Sequence, residues 1–360
     1  MSLETLLTSS WQKRSCLPTL LWPLSALHGA AVRTRRWAYD QGWLKSTRLP
    51  CPVLVVGNRI AGGAGKTPTT IAILEHLLAM GWHPGVLTRG YKATSDQHPR
   101  PLLLDENSET RLTAESTGDE PLLIWRRTGV PVMIDPSRVR GGLALLSQRP
   151  EVDILVCDDG LQHLALARDI EVVVFDQRGQ GNGWLLPSGP LREPIDVHPV
   201  GRLVAAPITL YNADHISTPI PGHLARRSVA PLIPLEDWWS CPGDTISHRS
   251  FRPPESEASA VWALAGIAQP DRFFEQLRAQ GWKIHGVALP DHALMDPLPW
   301  PRDVSDVIVT EKDAVKLSPD LVRRERPHTT VWVSSLNFSP DNGFWDELDQ
   351  ALTRLPSAPR

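Results

Sequence analysis

The residues with the strongest claim to chemistry are Lys66 and Thr67, which follow Gly62, Gly63 and Gly65 in the run VLVVGNRIAGGAGKTP from Val53 to Pro68. Glycines remove the side chains that would keep a phosphate from the backbone N–H groups, and a helix starting there points its positive end at the anion. A lysine at that place reaches the outer phosphates, and the threonine hydroxyl suits Mg²⁺. The expected nucleotide contacts are therefore Ile60, Ala61, Gly62, Gly63, Ala64, Gly65, Lys66 and Thr67, with ATP and Mg²⁺ as ligands. One position departs from the usual GxxxxGK[ST] pattern: Ile60 stands where glycine is wanted, and the nearest upstream glycine is Gly57. The apolar strand before the loop and the periodic helix after it (Ile71, Ile73, Leu74, Leu77, Leu78) supply the context the motif needs. A glycine-rich turn that binds nothing would leave the Gly-Lys-Thr order unexplained.

A second pair of candidates is Asp158 and Asp159, delivered at the end of the apolar run from Val152 to Cys157. Adjacent carboxylates at such a strand end hold Mg²⁺ or position its water in nucleotide enzymes. An Asp pair in a solvent-facing turn is the plainer alternative, and the upstream phosphate loop decides against it. Asp119 follows Gly118 at an expected helix start, where an acid also serves as a cap. Arg89, Gly90 and Tyr91 end a strand at Val86–Thr88, so they face the nucleotide edge of a parallel sheet. The run from Trp184 to Pro194 buries apolar residues beside Arg192 and Glu193, which are expected to be exposed on a loop that closes over a ligand.

These groups need elements to hold them, and the chain alternates apolar strands with periodic helices. That alternation predicts an α/β fold of two Rossmann-like units, the phosphate loop lying in the first. The expected divisions are an N-terminal segment over 1–36, a nucleotide domain over 37–200, a linker with β strands over 201–258, and a smaller α/β domain over 259–360. Strands are expected at 203–210 and 229–235 around the linker. In the last domain a strand at 260–265 leads to a helix over 271–280.

Composition sets outer limits. The 360 residues are enough for two ordinary domains. Lys and Arg number 37 against 40 Asp and Glu, a net charge of −3, which gives no general reason to bind a nucleic-acid backbone. The four cysteines form no CxxC pair, which fits a reducing compartment and argues against zinc. The apolar segment from Leu17 to Val32, broken by Pro18 and Pro23 and followed by Arg33, Arg35 and Arg36, is too short to span a bilayer comfortably. A signal peptide is rejected because ATP chemistry follows at once. A helix lying in a membrane interface and a helix packed on the domain both remain open.

Taken in order, Val56-Gly-Asn58, Gly62 to Pro68, Arg89-Gly-Tyr91, Gly118-Asp-Glu-Pro121, Asp158-Asp-Gly-Leu-Gln-His163, Leu186 to Pro194, Pro290-Asp-His292 and Thr310-Glu-Lys-Asp313 resemble the tetraacyldisaccharide 4′-kinase family of lipid A biosynthesis. The resemblance runs from about residue 15 to 320, and the family shares the departure at Ile60. Lys92 and Ala293 differ from residues frequent in the family. The resemblance implies two α/β domains joined by a short β linker. It also implies transfer of the ATP γ-phosphoryl group to the 4′-hydroxyl of tetraacyldisaccharide 1-phosphate, giving lipid IVA, by an enzyme attached peripherally to the cytoplasmic face of the inner membrane. No nucleic acid and no obligatory protein partner are implied.

For the site, the resemblance implies that Asp119 and His292 act together on the acceptor hydroxyl, beside Lys66, Asp158 and Asp159. Arg89, Tyr91, Gln162, His163, Arg192 and Glu193 are the candidates for substrate contact. The residues alone, without the family, also allow a membrane-associated ATPase switch or a kinase for a small soluble substrate.

Overall fold

The structure, a computed structural model, describes residues 10–90, 101–107, 113–201, 203–240, 260–290 and 293–355. In chain order, helix α1 is Cys16–Asp40, strand β1 Val53–Gly57, α2 Lys66–Ala79 and β2 Pro84–Thr88. Next come β3 (Leu102–Leu104), α3 (Ala114–Thr117), α4 (Asp119–Thr128), β4 (Val132–Ile134) and α5 (Arg138–Gln148). Strands β5 (Ile154–Asp158), β6 (Ile170–Asp176), β7 (Ile208–Asn212) and β8 (His223–Pro234) precede α6 (Leu235–Ser240) and β9 (Val261–Ala265). The remainder is α7 (Pro270–Ala279), β10 (Ile284–Ala288), β11 (Asp306–Thr310), α8 (Glu311–Ala314), α9 (Pro319–Glu325), β12 (Thr330–Pro340) and α10 (Asn342–Thr353). The fold is mixed α/β with mostly parallel strand pairing.

The chain forms two compact units, neither continuous in sequence. The first is Met1–Arg89, Pro136–Arg226 and Ser339–Arg360; the second is Gly90–Asp135 and Arg227–Phe338. This division differs from the ranges expected above. Residues 90–135 leave the nucleotide-loop unit, and the C-terminal helix returns to it. The return has a physical cause: His223 lies 3.3 Å from Asp341 and 2.8 Å from Glu347, and His76 lies 2.7 Å from Asp349 and stacks on Trp345.

In the first unit β1 is central. It pairs in parallel with β5 on one side and β6 on the other; β2 extends the sheet beyond β5, and β7 and the start of β8 extend it beyond β6. Every residue of β1, β2, β5, β6 and β7 is buried, which is why these strands read as continuous rather than alternating apolar runs. Complete burial of Leu54, Val55 and Val56 contributes roughly 1.5–3 kcal/mol for each side chain and leaves the strand no freedom to shift beneath the loop it carries.

Helix α1 packs on this same unit. Ser25 Oγ donates to Leu185 O at 2.8 Å and accepts from Ser188 N at 2.9 Å, while Pro18, Ser25 and Gly29 are buried. The prolines do not interrupt it, contrary to expectation. Pro18 falls in the first turn, where no intrahelical N–H bond is lost, and Pro23 gives up one such bond within a helix held by its contacts. Its other face is bare and apolar, with Leu20 78%, Leu24 53% and Leu27 69% exposed at helical spacing. No helix among the described residues is long and apolar enough to cross a membrane.

The second unit has the parallel order β10-β9-β11-β12, and β3 pairs antiparallel with β4. Phe273, Phe274 and Leu277 of α7 pack with Trp282, Val261, Ala263 and Ile308 to form its core. Helix α4 is tied down at its C-terminal end by Arg127, which donates to both oxygens of Glu311 at 3.1 and 2.8 Å, and by Arg126, which donates to Trp238 O. The Thr310-Glu-Lys-Asp motif is thus a structural clamp. Asp313 accepts from Gly266 N at 2.9 Å and pairs with Lys316 at 2.8 Å.

Candidate nucleotide and phosphoryl-transfer site

The loop from Asn58 to Gly65 leaves the C-terminal end of the central strand and opens directly into α2, the position where open α/β sheets take ligands. Gly65 is the residue before the helix and has φ +92°, a left-handed conformation that L side chains resist. Lys66 and Thr67 are then the first two helical residues, so their N–H groups have no partner within the helix. Ile60 explains the departure from the usual pattern. It is completely buried and bridges Leu191, while Ala61 N donates to Pro190 O at 2.7 Å. An apolar anchor there fastens the loop to the Trp184–Pro194 run.

Around this loop the first unit gathers five of the expected residues. Lys66 Nζ lies 3.8 Å from Asp159 Oδ2, and Arg192 Nη1 is 3.0 Å from Asp159 Oδ1. Asp159 itself has φ +49°, which turns its side chain out of line with the strand that ends at Asp158. Gln162 Nε2 donates to Asn58 O at 3.2 Å and to Glu193 Oε1 at 3.0 Å. Glu193 also pairs with Arg36 of α1 at 2.8 Å.

The expected exposure of Arg192 and Glu193 is therefore corrected. The Glu193 side chain is only 5% exposed and that of Arg192 28%, because the first is shared between Arg36 and Gln162 and the second is drawn in by Asp159. Arg59, buried nearby, has its guanidinium pulled below the ordinary value by burial, against the opposing charges of Glu193 and Glu171. A small cleft lined by Arg35, Arg36, Gln162, Arg192 and Glu193 lies between α1 and the loop after β5.

Asp158 is 1% exposed, and its Oδ1 accepts a 2.8 Å hydrogen bond from Thr70 Oγ1. Thr67 is buried one position into α2. A hydroxyl and carboxylates are the hard oxygen donors that Mg²⁺ takes, so this donor set fits the ion. No group of three or more His, Cys, Asp or Glu poised for a metal occurs among the described residues. Mg²⁺ in nucleotide enzymes needs none, since phosphate oxygens and water complete its shell.

Arg89 is exposed at the end of β2. His163 is half-buried, its carbonyl accepting from Arg168 at 2.7 Å. Asp119 is the first residue of α4 in the second unit, 9% exposed, and the N-cap is Gly118. Tyr91 and His292 lie outside the described residues. Three participants escaped the sequence reading: Thr70, Asn58 as a loop donor, and Arg36, whose basic type pointed to lipid rather than to Glu193. Only the threonines after Lys66 offered any signal.

The family model for tetraacyldisaccharide-1-P 4′-kinase matches residues 17–353. The tetraacyldisaccharide 4′-kinase of Methylibium petroleiphilum is 53% identical, covering 99% of this chain and 96% of that protein; the one from Leptothrix cholodnii is 50% identical over 95% and 94%. Among solved structures, LpxK from Aquifex aeolicus in complex with ATP superimposes with a TM-score of 0.72 at 25% identity, covering 94% of this chain and 99% of that one. By the match along nearly its whole length, the chain belongs to the tetraacyldisaccharide-1-P 4′-kinase family.

Proposed function

We propose that this protein transfers the γ-phosphoryl group of ATP to the 4′-hydroxyl of a tetraacylated glucosamine disaccharide 1-phosphate, giving lipid IVA, while attached peripherally to the cytoplasmic face of the inner membrane. The observation that carries the reading is the loop from Gly62 to Thr67 at the start of α2, on a central strand whose neighbour ends in Asp158. Loop N–H groups and the helix N-terminus receive the phosphates. Lys66, fixed by Asp159, neutralises charge that spreads over the γ-oxygens in the transition state. Thr67 and Asp158, with Asp159 beside them, would hold Mg²⁺, which when bound supplies further neutralisation of that charge.

A free sugar hydroxyl is a poor nucleophile at neutral pH, and a positioned base contributes typically ~10²–10⁴-fold. Asp119 is proposed for that base and His292 as its partner, the imidazole orienting the carboxylate and sharing the proton. Arg192, Gln162 and Glu193, with Arg89, Tyr91 and His163, are proposed to meet the acceptor. The bare leucine face of α1 would rest among acyl chains, with Arg33 and Arg35 near anionic head groups.

The test is ATP consumption by the purified protein with and without the acylated disaccharide in detergent. Consumption that requires the acceptor and matches phospholipid product is the expected result. Hydrolysis that proceeds equally without acceptor would replace the kinase reading with a nucleotide-driven switch.

A further inference from the structure

A phosphate loop works only if its peptide units face one way: N–H groups toward the anion and carbonyls away from it. The outward carbonyls then need donors of their own, since buried carbonyl groups left unpaired are costly. In the first unit four demands of this kind are met. Ala61 O accepts from Arg178 Nη1 at 3.3 Å, Gly62 O from Asn58 Nδ2 at 3.2 Å, Ala64 O from Asn212 Nδ2 at 3.0 Å, and Gly65 O from Thr69 at 2.9 Å. Among the described residues, no backbone acceptor takes the N–H groups of Gly62, Gly63, Ala64 or Gly65.

Two of these donors come from far along the chain and belong to no nucleotide-loop pattern. Asn212 ends β7 and Asp176 ends β6, and the two are paired in register. Asp176 grips Arg178 through Nε and Nη2, at 2.9 and 2.7 Å, which sets the guanidinium over Gly62 and Ala61. The turn after Arg178 is itself fixed. Ser217 Oγ donates to Asp176 O at 2.7 Å, and a Cβ on Gly179, where φ is +55°, would come within 2.1 Å of Ser217 O. Asn212 is 3% exposed, so its amide cannot turn to water instead. One strand pair therefore delivers both braces at the level of the loop.

We infer that Asn212 and the Asp176–Arg178 pair are positioning residues for ATP: they hold the loop carbonyls outward and so keep its N–H groups set for the phosphates before nucleotide arrives. The inference rests on the reading of residues 60–67 as the ATP loop. It accounts for the glycine at position 179, where the turn that carries Arg178 closes on Ser217. Without the braces the loop must be ordered at the moment of binding, and that ordering is taken from nucleotide affinity.

The experiment measures ATP dissociation constants without acceptor, together with KM for ATP and for the acylated disaccharide, in Asn212→Leu, which keeps the volume and deletes the donor. Arg178→Gln serves as a second variant at a partly exposed site that tolerates change, and Lys66→Ala as a control on the loop itself. The expected result is ATP affinity weakened about tenfold in both brace variants, with the acceptor KM within about twofold of the parent. A merely structural role would lower the melting temperature and the active fraction while leaving the ratio of the two KM values unchanged, and that result overturns the inference. If Lys66→Ala binds ATP as the parent does, the failure lies instead with the loop assignment.

Discussion

Thr70 Oγ1 donates a 2.8 Å hydrogen bond to Oδ1 of Asp158, joining the second turn of the loop helix to the end of the neighbouring strand. Both residues are buried, so the bond fixes which way the carboxylate faces. Thr70→Val keeps the shape and removes the donor. The half-saturating Mg²⁺ concentration for turnover should rise by about tenfold, the scale found when a metal ligand loses an orienting partner. Titration of rate against Mg²⁺ at saturating ATP checks this; an unchanged midpoint would separate Asp158 from the metal.

The proposed pairing of Asp119 with His292 is open to a double-mutant cycle on kcat. If the two act as one unit, Asp119→Ala combined with His292→Ala should be little worse than the poorer single variant. Losses that multiply would refute the pair, and normal turnover in Asp119→Ala would remove the base assignment.

Helix α1 should hold the protein to membranes through its exposed leucines. Leu20 and Leu27 are 78% and 69% exposed, and burying a leucine contributes roughly 1.5–3 kcal/mol. Leu20→Ser with Leu27→Ser should lower partition into anionic vesicles at least about tenfold, and high salt should weaken the parent's binding as well. Flotation with vesicles measures both. Partition unaltered in the double variant would exclude this face.

Burial pushes the Glu171 carboxyl up from its ordinary 4.5, against the pull of Arg168 and Arg59. Between the unfolded and the folded values the folded state therefore holds a proton that the unfolded chain has released. The stability this group supplies is complete below the unfolded value and is lost as pH rises through the folded one. Glu171→Gln removes the titration, so its stability relative to the parent should increase from about pH 4.5 upward. Urea unfolding across that range tests the sign, and a pH-independent difference would contradict it.

How much of this could be read from the sequence depended on distance along the chain. The Lys66 loop was legible because strand, glycines and helix are contiguous, and so was Asp158 at the end of its apolar run. Asn212 and Arg178 were not, because their loop contacts depend on the register of β6 with β7, which no local pattern encodes. The compact units depart from the expected ranges for a similar reason: the histidine and carboxylate contacts that return α10 to the first unit join residues far apart in sequence. Pro18 and Pro23 carried a helix-breaking signal that position and packing overrode.

The most direct measurement is transfer from γ-labelled ATP to tetraacyldisaccharide 1-phosphate by the purified protein, with the phosphorylated position of the lipid mapped by mass spectrometry. Label should appear at the 4′-position in step with ATP consumed. Lys66→Ala should slow transfer roughly a hundredfold or more, as expected for loss of a charge clamp worth about 3 kcal/mol in the barrier. Label released only as free phosphate, or undiminished transfer by Lys66→Ala, would contradict the account.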